Sequence, residues 1–129
     1  MRKLAVALGA IVLMATVAAG PVAAAKPVPS FQASVCIDGA HNNWYSISTS
    51  WENVRPAYLE IGGSNEVTAT TTPTGVEQWL INNKATNIGG IVDPAKLQGY
   101  QYLAVTLVNR KMSPLVAWTY YAIDSLASC

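Results

Sequence analysis

Charge is scarce in this chain. Of its 129 residues only 12% are Asp, Glu, Lys or Arg, and the formal net charge is +1. Histidine occurs once, at His41, and cysteine twice, at Cys36 and Cys129. With no Cys-x-x-Cys pair, these three make a poor ligand set for zinc, so neither a metal site nor a cofactor is expected. No Gly-rich phosphate loop leads into a helix, because Ile61-Gly62-Gly63-Ser64 and Ile88-Gly89-Gly90 read as turns. There is no EF-hand spacing, no Asn-x-Ser/Thr sequon, no internal repeat and no amphipathic helical pattern of useful length. The seven acids are scattered, and a domain of this size offers a glycosidase pair little cleft. His41 lies in the turn Asp38-Gly39-Ala40-His41-Asn42-Asn43, where it reads as an exposed loop residue and not as a catalytic base. No catalytic residue is assigned, and catalysis is not expected.

The one long apolar run is N-terminal. Met1-Arg2-Lys3 is a short basic start, Leu4 to Gly20 carries no charge, and Ala23-Ala24-Ala25 supplies small residues for cleavage. Together these read as a secretory signal peptide over residues 1–25. The alternative is a retained anchor, but the run is at the short end for a hydrocarbon layer of about 30 Å, and small residues follow it. Residues 26–30, Lys-Pro-Val-Pro-Ser, then form an extended leader, since each proline biases its predecessor away from helix. Residues 31–129 make one domain. Cleavage removes Arg2 and Lys3 and leaves six basic against seven acidic side chains, which excludes a charge-driven nucleic-acid binder. Cys36 is too far from the cleavage site to be a lipidated N-terminus. The product is expected to be secreted, extracellular and free of the membrane.

In an oxidising compartment an even cysteine pair reads first as a disulfide. A Cys36–Cys129 bond closes almost the whole domain, a loop that chain entropy rates at about 4.5 kcal/mol.

The remaining sequence breaks into short period-two segments separated by Gly, Pro and Asn, the pattern of an all-β domain. Tyr45-Ser46-Ile47-Ser48-Thr49-Ser50-Trp51 is the clearest: Tyr45, Ile47, Thr49 and Trp51 share one face and three serines the other. Seven strands are expected, at 31–38, 44–51, 57–61, 66–72, 76–81, 100–109 and 116–123. A longer connection, 82–99, should pack on the core through Ile88, Ile91, Val92 and Leu97, with Asp93-Pro94 capping one helical turn. Seven strands in about 100 residues is the count of an immunoglobulin-type sandwich.

Ser48-Thr49-Ser50-Trp51, then Ala57-Tyr58-Leu59-Glu60-Ile61, then Tyr100 to Asn109 resembles the B, C and F strands of fibronectin type III domains, including the Val108-Asn109 ending. The tyrosine register departs from that family: Tyr100 is one residue too far from Asn109 and Tyr102 one too near. The resemblance implies an antiparallel seven-stranded sandwich. A geometric argument agrees independently. With seven alternating strands, the first and last run in the same direction, so Cys36 and Cys129 end at one pole. Disulfide bonding needs Cα atoms about 4.4–6.8 Å apart.

The chain is rich in aromatics, with four tryptophans and six tyrosines. Trp51 reads as core. The pairs Trp44-Tyr45 and Tyr120-Tyr121 cannot both face inward on a strand, so Trp44 and Tyr120 are candidates for an exposed aromatic surface. The second–third, fourth–fifth and sixth–seventh connections should gather at the pole opposite the disulfide, bringing together Glu52, Arg55, Pro73-Thr74, Arg110, Lys111 and Met112. These loops are the first candidate for ligand binding. The function expected is a non-catalytic binding module for an extracellular protein or polysaccharide. A small inhibitor of an extracellular hydrolase is the alternative, and a small hydrolase stands behind both.

Overall fold

The computed structural model describes residues 27–129. The expected signal peptide over residues 1–25, and Lys26, lie outside the described residues. The elements run β1 (Ser30–Asp38), β2 (Trp44–Glu52), β3 (Tyr58–Ser64), β4 (Thr74–Leu80), β5 (Asn87–Val92), β6 (Tyr102–Val108) and β7 (Thr119–Ala122), with 3-10 turns at Gly39–His41, Pro94–Leu97 and Ile123–Ser125. All pairings between these strands are antiparallel. They make two sheets, one ordered β1-β2-β5 and one ordered β4-β3-β6-β7. A common core lies between them: Ile47 and Trp51 from β2, Leu59 and Ile61 from β3, Val92 from β5, and Leu103, Val105 and Leu107 from β6. Leu97, just after β5, plugs the same core.

The expected all-β class and strand number hold, but three assignments change. Ile61-Gly62-Gly63-Ser64, expected to be a turn, continues β3, its glycines pairing with Ala104 and Leu103 of β6. Residues 66–72 form no strand. The hydroxyls of this Thr-rich stretch satisfy one another and the nearby backbone, a local alternative to a ladder. Thr68 Oγ1 accepts from the Thr71 N–H at 2.9 Å, Thr71 Oγ1 donates to Glu66, and Ser64 Oγ donates to the Glu66 carbonyl. Conversely, Asn87–Val92, expected to be connection, is a strand paired along β2. Its glycines made it look like a turn, and their role is close approach. A Cβ on Gly90 would lie 3.0 Å from the Trp79 ring, which packs across that strand from the neighbouring sheet. The end of the 82–99 segment matches expectation: Asp93 accepts from the Ala95 N–H at 3.0 Å, with Pro94 opening the turn.

The outer faces of the two sheets differ. On the three-stranded sheet Gln32, Ser34, Ser48, Ser50 and Asn87 are exposed. On the four-stranded sheet the outward Ala104, Thr106 and Val108 are buried as completely as the inward residues of β6, so that strand reads as a continuous apolar run. Two segments cover them. The 65–73 loop lays Pro73 over Gly62 and offers the Thr71 carbonyl to Tyr120. The β6–β7 segment offers the Val116 carbonyl to Thr106 at 2.7 Å, and this shortens β7 at its start.

Seven alternating strands leave β1 and β7 parallel, as the strand count requires. Ile37 bridges Ser128 in parallel, its N–H donating to Ala127 and its carbonyl accepting from Cys129. Cys36 and Cys129 are bonded, with Cα atoms 5.0 Å apart. Reduction should therefore add the mass of two hydrogens to the monomer, and replacing both cysteines by alanine should cost about 4.5 kcal/mol in denaturant unfolding. Intact mass with thiol labelling checks the pairing; two free thiols or a covalent dimer would refute it.

Candidate functional site

Strand alternation places the β2–β3, β4–β5 and β6–β7 loops at the pole opposite the disulfide. Backbone bonds tie their bases together. The Ala57 N–H donates to Val108 at 2.8 Å, and the Ile81 N–H donates to Ala57 at 3.0 Å. In the β2–β3 loop, Asn53 takes a left-handed conformation (φ 62°), and its Nδ2 donates to Val28 of the leader at 3.2 Å. Pro56 is buried and Arg55 beside it is exposed. In the β6–β7 loop, one side chain organises the turn: Asn109 Oδ1 accepts from the N–H groups of Lys111 (2.9 Å) and Ser113 (3.0 Å). The turn leaves Arg110 and Lys111 exposed and puts Met112 in the left-handed region at φ 65°. The β4–β5 loop turns in the same way, Asn82 Oδ1 accepting from the Lys84 N–H at 3.1 Å.

Of the residues expected here, the structure brings Arg55 and Arg110 onto the rim of one open cavity of about 530 Å³. Lys111 and Met112 sit at the adjacent loop tip and do not line it. Glu52 borders a different depression on the flank of the three-stranded sheet, beside Asn53 and Thr86. Pro73-Thr74 is a correction: with 66–72 no longer a strand, Pro73 ends the β3–β4 connection and Thr74 opens β4, both at the disulfide pole. Their place is taken by residues 81–86, which bring Ile81, Asn83 and Lys84 to the site. The signal that could have found them is the Asn82-Asn83 turn, hidden because Asn87–Val92 was not read as a strand. Leu80, 74% exposed at the end of β4, joins the same cavity.

The two aromatic pairs split as neighbours on a strand must. Tyr45 and Tyr121 pack against the core, and Tyr121 Oη donates to the Ala33 carbonyl at 2.6 Å. Trp44 and Tyr120 face outward, but on different sheets, so they form no common surface. Trp44 is half-buried beside Asp38 at the disulfide pole. Tyr120 is half-buried too, edge-on to Tyr102 with ring centroids 6.4 Å apart, and its hydroxyl is bonded to Thr71.

His41 is exposed, and its Nδ1 lies 2.7 Å from Asp38 Oδ2. That hydrogen bond, with one from the Ala40 N–H, holds the Asp38 carboxyl below its ordinary pKa. Glu77 presents a balance: burial works against its charge, but hydrogen bonds from Lys96 Nζ at 2.8 Å and from Trp79 Nε1 prevail and lower its pKa. Glu60 is the opposite case. It lies on the covered face of the four-stranded sheet, 9% exposed, and its Oε1 has no partner. Its other oxygen occupies the space that a side chain at Gly75 would need. Burial raises its pKa, only partly offset by Gln78. Among the described residues, no group of three or more His, Cys, Asp or Glu is placed to hold a metal ion.

Comparison with protein-family models, with curated proteins and with solved structures finds no match for this chain.

Two outcomes follow from these geometries. Since αL costs a non-glycine residue about 1 kcal/mol, Met112→Gly should leave stability unchanged or raised by up to about that amount. Met112→Val should lower it by about 1–2 kcal/mol, and urea unfolding measures both. For Glu60 the folded chain favours the protonated acid. Its contribution is therefore most favourable below the ordinary carboxylate pKa and is lost as pH rises through the raised value. Glu60→Gln should raise Tm at neutral pH, with the gap to the wild type closing in acid; an unchanged gap across pH would show that the carboxyl is not titrating in a buried site.

Proposed function

We propose that this chain is a secreted, disulfide-closed β-sandwich of the fibronectin type III or immunoglobulin-like class, and that it binds an extracellular partner, without catalysis, through the loops opposite the disulfide. The division into three and four strands around one core supports the class. The fourth strand lies beside the third, whereas the constant-type immunoglobulin layout puts it with the first, second and fifth. The fibronectin-like variant is therefore the reading preferred. The Cys36–Cys129 bond suits an oxidising, extracellular location.

The observation that carries the binding reading is the pair Arg55 and Arg110, exposed on one cavity rim and joined through hydrogen-bonded loop bases. Recognition placed on loops held by a rigid sheet is characteristic of such architectures. The inhibitor reading keeps one specific support: the Asn109-centred turn presents Arg110 and Lys111 in a fixed conformation, and a prefixed loop loses little entropy on docking to a hydrolase cleft. Titration against extracellular proteases and glycosidases separates the two readings.

Replacing Arg110, Lys111 and Met112 together by alanine should leave the domain folded, because all three are exposed, and should abolish capture of partners from culture medium and cell-wall fractions. A folded triple variant that retains all capture places the site elsewhere.

A further inference from the structure

The cavity between Arg55 and Arg110 does not end at its rim. A second depression of about 370 Å³ adjoins it and reaches Lys84. Arg55, Pro56 and Asn83 border both, so the two form one trough along the pole with three cations beside it. The surrounding charge is one-sided. Among the described residues, four of the five Lys and Arg side chains, Arg55, Lys84, Arg110 and Lys111, stand on these loops, with Glu52 the one acid nearby. Asp38, Glu66, Asp93 and Asp124 all fall at the disulfide pole. None of the four loop cations makes an ion pair among the described residues; the one paired lysine is Lys96, with Glu77 at mid-strand.

Exposed cations that make no ion pair favour an anionic ligand, and guanidinium forks fit carboxylates two bonds at a time. The trough is also apolar along one side. Leu80 is exposed there beside Ile81 and Pro56. It holds no tryptophan, and Tyr58 is its one aromatic, so a stacking platform for sugar rings is lacking. Asn83 adds an amide of the kind that pairs with peptide groups. Because the loop bases are already hydrogen-bonded to one another, little ordering is needed on binding.

We propose that this trough binds an acidic peptide segment that carries an apolar side chain: Arg55 and Arg110 take its carboxylates and Leu80 its apolar group. The proposal rests on the loop-pole binding reading above and adds the chemistry of the ligand.

The test is fluorescence anisotropy with a short labelled Glu-rich peptide holding one central leucine, its counterpart with glycine in place of that leucine, and an oligogalacturonate as competitor. The leucine peptide should bind, with affinity falling steeply as salt rises. Arg55→Glu and Arg110→Glu should each weaken it at least about tenfold, the loss of one charge-assisted pair. Leu80→Ser and the glycine peptide should each weaken it by about threefold or more. Lys96→Glu, the same charge change outside the trough, should leave it unchanged. Circular dichroism confirms that each variant is folded. Four results overturn the proposal: no binding by the folded wild type; binding indifferent to both arginine reversals; displacement by oligogalacturonate with no dependence on Leu80; or self-association of the chain that the same reversals abolish, which assigns the trough to a second copy. If peptide binding fails while the alanine triple variant still loses partner capture, only the ligand chemistry is wrong. If both fail, the loop-pole reading fails with it.

Discussion

Strand alternation is the constraint from which the other features of this molecule follow. Seven strands joined in antiparallel succession send the first and last in the same direction. The end of β1 and the segment after β7 can then meet, and Ile37 and Cys36 fasten them by backbone bonds and a disulfide. The same alternation assigns every loop to a pole. The β1–β2, β3–β4 and β5–β6 connections share the end with the disulfide, where four of the seven acids, Asp38, Glu66, Asp93 and Asp124, also lie. The other three share the opposite end and carry four of the five Lys and Arg side chains among the described residues. The described residues thereby carry a charge separation between the two poles, and the two ion pairs among them, His41–Asp38 and Lys96–Glu77, leave the loop cations unpaired.

The two sheets are used unequally. The three-stranded sheet turns a row of serines and amides to water. The four-stranded sheet is covered on its outer side by the 65–73 loop and by the later part of the β6–β7 connection around Val116, so β6 is buried on both faces. This second layer explains why a carboxyl as awkward as Glu60 is hidden there, and why Tyr120 makes contacts inside the chain. The loop pole is where cations and an exposed leucine come together. At the far edge, Trp79 lies across Gly90 and seals the gap between the sheets.

Much of this was legible from residue order. Alternation of Tyr45, Ile47, Thr49 and Trp51 with serines defined β2 and its buried face. The spacing of Cys36 and Cys129, with an odd strand number, was enough to foresee their bond. Asp93-Pro94 announced its turn through local capping alone. These features depend on periodicity, on neighbouring residues or on strand parity, all of which a linear sequence carries.

What escaped were features fixed by distant contacts. Threonines at 68 and 71 have strand propensity, yet their hydroxyls found nearer partners in each other and in Glu66. Ile88-Gly89-Gly90-Ile91 looks like a turn until Trp79, on the other sheet, supplies the reason for a strand without side chains. The two misreadings cancelled in the strand count, so the parity argument for the disulfide survived while Pro73-Thr74 changed poles. Arg55 and Arg110 could be named as loop residues from order alone. That they face one cavity with Leu80, Ile81 and Asn83 depended on where β4 ends and β5 begins, which was decided by packing between the sheets and not by any local preference of the chain.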